Sequence, residues 1–126
     1  MKKSILLVFG TMTLSLGFAQ LKSTKWQGAI KGDNPRSALL DFKRDTLVLY
    51  SGTGTEKIET MIYEIKGQVL TLRKIDGQSD CDNATPGIYQ FVIKGDKIVF
   101  KLGNDPCYDR SSALDATEWT RVKTHP

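Results

Sequence analysis

The chain has 126 residues, 40% apolar and 25% charged, with 11 glycines against 4 prolines; that length suits one domain, and the composition excludes disorder and collagen-like repeats. Eighteen Lys and Arg against fourteen Asp and Glu leave a formal charge of +4. The excess is spread singly, with no basic stripe of the kind a phosphate backbone needs, which sets nucleic acid aside as a partner.

Taken in chain order, the first signal is a leader. Lys2 and Lys3 are positive, residues 5–18 are an apolar run broken only by Gly, Ser and Thr, and Gly17-Phe18-Ala19 puts small residues three and one before a cut. That is the pattern of a secretory signal peptide over residues 1–19. The run is shorter than the roughly 20 apolar residues a spanning helix requires, and no cysteine follows the cut to carry a lipid. Residues 20–126 are expected to be a single exported domain, periplasmic or extracellular, soluble, not inserted in a membrane, and monomeric.

From Lys25 onward apolar residues recur with a period of two, the mark of half-buried strands. The first strand is read over 26–30. Ala38-Leu40-Phe42, Leu47-Leu49, Met61-Tyr63-Ile65, Leu70-Leu72, Tyr89-Phe91-Ile93 and Ile98-Phe100-Leu102 follow, and the last strand is read over 118–122. The sequence thus predicts eight strands and a single short helix, at 111–116, with no internal repeat and no linker. Tight turns at 43–45, 66–68 and 94–96 alternate with longer connections at 31–37, 51–57, 75–86 and 103–117. In an up-and-down antiparallel sheet that alternation sends all four long connections to one rim and the three short ones to the other.

Cys81 and Cys107 lie in the third and fourth long connections. An even pair in an oxidising compartment, with no histidine nearby to complete a zinc shell, reads as a disulfide, and the shared rim makes the bridge geometrically reasonable.

Eight meandering strands with one apolar face close most simply into an all-β barrel, which removes exposed sheet edges. Inward parity collects Trp26, Phe42, Tyr63, Tyr89, Phe91, Phe100 and Trp119. An eight-stranded barrel is wide enough either to be filled by side chains or to hold one small ligand. Seven large aromatics predict a mostly filled interior with a shallow cavity at the long-loop rim.

This meander, with Trp26 and Gly28 in its first strand, aromatic positions Tyr63 and Tyr89, the stretch Asp105-Pro106-Cys107-Tyr108-Asp109-Arg110 and the closing Trp119-Thr120-Arg121, resembles the lipocalin-like (calycin) small exported barrels over residues 25–122. The resemblance implies that Trp26 packs near an arginine of the closing region, here Arg121.

Chemistry-bearing groups are few. The single histidine, His125, is the penultimate residue, so a Ser-His-Asp or Cys-His arrangement has nothing to build on. The acidic loop 76–83 offers oxygen ligands for calcium but lacks a bidentate glutamate at the required spacing, and reads as a solvated loop. Glu56, Glu59 and Glu64 are placed at exposed positions. Asp105, Asp109 and Arg110 read as an ion-paired cluster ordering the fourth loop, with Arg110 alternatively projecting toward a ligand at the rim.

No enzyme, cofactor or metal is therefore expected. The candidate ligand-binding set is Tyr63, Tyr89, Phe91, Phe100 and Arg110, for a small, partly apolar molecule. The alternative is a protein-interaction module, such as an inhibitor of a secreted hydrolase, using its disulfide-tied rim loops.

Overall fold

The computed structural model describes residues 21–123; the leader expected over 1–19 and His125 lie outside the described residues. Eight strands follow one another in order, β1 (Thr24–Ile30), β2 (Arg36–Phe42), β3 (Thr46–Ser51), β4 (Glu56–Lys66), β5 (Val69–Gly77), β6 (Gly87–Lys94), β7 (Lys97–Asn104) and β8 (Thr117–Arg121), with one helix, α1 (Tyr108–Leu114), before the last. Each strand pairs antiparallel with the next, and β8 returns to β1 through Trp26 opposite Arg121 and Gln27 opposite Thr120, closing an up-and-down barrel. Closure gives every strand two neighbours, so no edge is left open. No helix among the described residues is long and apolar enough to cross a membrane.

The inward rows carry the side chains that alternation predicts. All seven inward aromatics are buried, and Phe42 meets the edge of Tyr63 at 5.2 Å between ring centres, a favoured quadrupole geometry. The hairpins at Gly67 and Gly95 place a left-handed glycine in each turn, with φ of 62° and 61°, which a side chain with a Cβ adopts only at a cost. Four local readings change. Strand β5 runs on to Gly77, so the third long connection begins at residue 78 rather than 75. The connection after β3 is a compact turn in which the N–H groups of Gly54 and Thr55 both donate to the Ser51 carbonyl. Leu102, on the inward row of β7, is 36% exposed; it pairs with Tyr89, and the register of β6 and β7 shifts just beyond that pair. The helix starts at Tyr108, three residues before the sequence suggested, directly after Cys107.

A short internal repeat does exist, contrary to expectation. Leu21-Lys22-Ser23-Thr24-Lys25-Trp26 and Leu114-Asp115-Ala116-Thr117-Glu118-Trp119 share the pattern Leu-x-x-Thr-x-Trp and build the same device at the entrance to β1 and to β8. The Thr24 and Thr117 hydroxyls donate to the carbonyls of Leu21 and Leu114, at 2.5 and 2.6 Å. Each accepts in turn from the indole N–H of the following tryptophan, at 2.8 and 2.9 Å. Ser23 and Ala116, the residues before each threonine, are left-handed at φ 62° and 58°, which turns the chain into the strand. Both buried indoles thereby have their one polar group satisfied.

The two tryptophans fill the interior toward the short-turn rim. A Cβ on Gly28 would lie 2.6 Å from the Trp119 ring, so the glycine lets that ring lie against the β1 backbone. The Arg121 guanidinium sits 5.9 Å from the centre of the Trp26 ring, at the outer limit of a cation–π contact. What remains open is the other end.

Candidate functional site

At the long-loop rim, two of the connecting segments, 78–86 and 105–116, are joined by the Cys81–Cys107 disulfide with Cα atoms 5.5 Å apart. Beneath the bridge lies a buried polar cluster. Arg110 sends Nε to Asp105 Oδ2 at 2.6 Å and Nη2 to Asp105 Oδ1 at 2.8 Å, and Nη2 also donates to the Thr85 carbonyl at 3.1 Å. Asp105 further accepts from the Tyr89 hydroxyl at 2.5 Å and from the Cys107 N–H at 2.9 Å. The two charged side chains are 4% and 0% exposed.

A glycine makes room for this cluster. Gly87 occupies the inward row of β6 ahead of Tyr89, Phe91 and Ile93, and a Cβ there would overlap the Asp105 carboxylate and lie 2.6 Å from Arg110 Nε. Three elements therefore meet at one point: β6 supplies the space and the phenol, the end of β7 leads to the carboxylate, and α1 supplies the guanidinium. Burial raises the Asp105 pKa, but the hydrogen bonds from Arg110, Tyr89 and the Cys107 N–H outweigh it and hold the carboxyl below its ordinary value. Burial and then the bond to Asp105 push the Tyr89 phenol well above its ordinary value. Tyr63 is raised too, by burial and then by Asp45.

The sign of the resulting pH dependence follows by linkage. For Asp105 the unfolded chain takes up protons before the folded one, so its stability is present above the unfolded value of about 4 and is lost as pH falls below it. For Tyr89 and Tyr63 the unfolded chain ionises first, so their contribution is complete below about pH 10 and is lost as pH rises beyond it. The urea midpoint is expected to fall on both sides of a neutral plateau. A double Tyr63→Phe, Tyr89→Phe variant should have the shallower alkaline limb; an equally steep one would count against this assignment.

Above the cluster the barrel mouth holds a cavity of about 210 Å³. Its walls are Leu40, Leu49, Met61 and Leu114, with Ile30 and Ile58 at the edge, and Arg110, Glu59, Gln78 and Ser79 supply the polar lining. Arg110 Nη1 is buried and has no hydrogen-bond partner among the described residues. Asp105 holds the Nε–Nη2 edge of the guanidinium, and Arg110 is among the residues lining the cavity.

Of the residues expected to meet a ligand, the structure brings only Arg110 to this cavity. Tyr63 belongs to the opposite rim, where its hydroxyl donates to the Lys43 carbonyl at 2.6 Å. Phe91 and Phe100 are buried in the barrel core and do not reach the mouth. Tyr89 is fully buried with its hydroxyl committed to Asp105. Asp109 is not part of the ion pair: its Oδ2 accepts the Asp80 N–H at 2.9 Å. In the acidic loop, Asp82 closes its own turn by accepting from Ala84 N–H, Thr85 N–H and the Thr85 hydroxyl, which lowers its pKa, chiefly through Thr85.

Glu59 is the main surprise. It was placed at an exposed position, yet it is 5% exposed, with its carboxylate accepting from the Ser79 N–H at 3.1 Å and from the Ser79 hydroxyl. The signal was present: Glu59 continues the inward row of Met61, Tyr63 and Ile65 by one step, and an acidic residue on an inward row at a strand end marks a polar mouth. Arg36 extends the row of Ala38, Leu40 and Phe42 in the same way.

Comparison with protein-family models, with curated proteins and with solved structures yields no match to this chain. The class it defines rests on its own geometry: a closed, eight-stranded up-and-down barrel, plugged at the short-turn end, with a disulfide-tied mouth.

Proposed function

We propose that this chain is an exported, non-enzymatic, lipocalin-like binding protein that holds a small, partly apolar molecule at the long-loop mouth. The observation that carries the reading is the mouth cavity itself, apolar on its walls and lined in part by the polar side chains of Arg110, Glu59, Gln78 and Ser79. Apolar clefts with a few convergent polar groups are the usual form of small-molecule sites. A structural disulfide fits an oxidising compartment, in keeping with export through the N-terminal leader.

Native mass spectrometry of protein purified gently from its exporting host is the direct test. A retained small mass, lost in a Leu49→Phe variant that narrows the cavity while keeping the circular dichroism of the barrel, is the expected result. Retained mass unaffected by that change would place the ligand elsewhere.

A second reading rests on Tyr108, which is 79% exposed at the start of α1 beside an acidic cleft of Asp80, Asp82 and Asp109 over the disulfide. An exposed aromatic among carboxylates suits a basic protein partner, such as a secreted hydrolase to be inhibited. A retained protein chain in the same spectrum, released by Tyr108→Ala, favours this reading over the first.

A further inference from the structure

Independently of the small-molecule reading, we infer that the closed, short-turn end of the barrel is a docking face for an anionic lipid bilayer, with the mouth turned toward water. Lysine and arginine are scattered singly along the sequence, but the topology gathers them at one end. The β2–β3 turn carries Lys43 and Arg44, the β4–β5 turn is flanked by Lys66, and the β6–β7 turn is flanked by Lys94 and Lys97. Lys22 and Arg121 stand where β1 begins and β8 ends. All of these cations are exposed, so each connection at this rim presents at least one. The exposed acids among them are Asp45, Glu64 and Asp96; Asp41 is buried and tied to Lys43 at 3.4 Å. At the mouth the balance is reversed, with exposed Asp33, Glu56, Asp76, Asp80, Asp82 and Asp109 outnumbering exposed Lys31, Arg36 and Lys57.

A ring of cations around a blunt end suits a plane, whereas a nucleic-acid backbone needs them in line. The wall beside the ring decides between a bilayer and a hydrated polyanion. Val92 and Val99 lie opposite each other on β6 and β7, 44% and 40% exposed, and line an outer cleft of about 430 Å³ with Lys94, Lys97 and Glu118. Lysines beside exposed apolar side chains are the arrangement of interfacial membrane contacts, in which ammonium groups reach the head groups and apolar surface enters the acyl boundary. A hydrated polyanion offers the valines nothing to bury against. Each Lys or Arg brought to an anionic bilayer raises affinity by roughly fivefold, and only within about a screening length of the surface. Strands β6 and β7, of eight residues each, keep the acidic mouth roughly two screening lengths away even when tilted.

The test is co-sedimentation of the disulfide-intact protein with vesicles of phosphatidylcholine alone and of an equal mixture with phosphatidylglycerol. Binding is expected to the mixed vesicles only, and to be lost in about 1 M NaCl, where the screening length falls to about 3 Å. Lys94→Glu with Lys97→Glu should weaken it by at least about tenfold, whereas Lys31→Glu with Lys57→Glu, the same charge change at the mouth, should leave it within about threefold. Both variants are compared at the parent's circular dichroism. Val92→Ser with Val99→Ser should weaken vesicle binding by at least about threefold and leave retention on immobilised dextran sulfate unchanged. No binding to the mixed vesicles, or equal loss from the two charge reversals, overturns the docking face. Vesicle binding that is indifferent to the valine replacements assigns the ring to a soluble polyanion and overturns the bilayer.

Discussion

Replacing Asp105 with alanine is expected to destabilise the fold by about 3–5 kcal/mol, because it leaves the Arg110 guanidinium buried without its counter-charge. The loss should be larger than that of any single surface change, since Asp105 is the acceptor for Arg110, Tyr89 and the Cys107 N–H at once. Domains of this kind hold only about 5–15 kcal/mol in total, so the variant is expected to be partly unfolded at 37 °C. Removing the pair together, as Asp105→Leu with Arg110→Met, should recover most of the stability, because no orphaned charge remains and apolar side chains fill the space. Urea unfolding of the two variants beside the parent checks both statements. A cost under about 1 kcal/mol for Asp105→Ala would mean that water reaches the guanidinium and that the cluster does not organise the rim.

Much of the barrel could be read from alternation alone. The inward row of each strand is a run of large apolar residues every second position, and a slip by one would expose the whole row, so period and burial specify each other. The parity of long and short connections then follows from antiparallel order, which is why the sequence alone puts Cys81 and Cys107 on one rim. What the rule does not contain is where a row ends. Leu102 continues its row at the end of β7, yet it is 36% exposed, at the last pair before the register with β6 shifts. Glu59 looked like an ordinary surface carboxylate, and the strand carries it one step further inward than polarity suggests.

The site was less legible than the fold, for a physical reason. Aromatic residues were assigned to the ligand because rings with polar handles suit binding surfaces, yet in a narrow barrel those same rings are what fill the interior. The cavity is instead left where the inward rows shorten to Leu40, Leu49 and Met61. Gly87 shows the same limit of one-dimensional reading. A glycine ahead of Tyr89-Phe91-Ile93 looks like a strand start, whereas its role is to leave room for a carboxylate 18 residues later in the chain. The Leu-x-x-Thr-x-Trp pair was missed because a six-residue match is short by the standards of repeat architectures, and its meaning is visible only in the matching hydrogen bonds.

Reducing Cys81–Cys107 is expected to be the other large effect. The bridge spans 26 residues of sequence, and closing a loop of that size removes roughly 3–4 kcal/mol of unfolded-state entropy. At about 4–8 °C per kcal/mol for a domain near 100 residues, the thermal midpoint should fall by at least about 12 °C. The paired Cys81→Ala, Cys107→Ala variant should show a comparable fall, and in the unreduced native protein neither cysteine should react with a thiol reagent. The local consequence goes further than stability. Cys107 immediately precedes α1, which carries Arg110 three residues on, and Cys81 anchors the loop whose Thr85 carbonyl accepts from the same guanidinium. Without the bridge, two flexible segments must be ordered to hold Arg110 at the mouth, and that ordering entropy is charged against any ligand. Ligand affinity measured below the lowered midpoint should therefore fall in the reduced protein while the barrel stays folded. A reduced protein that keeps its midpoint would show that the barrel and its buried cluster fix the rim without the bridge.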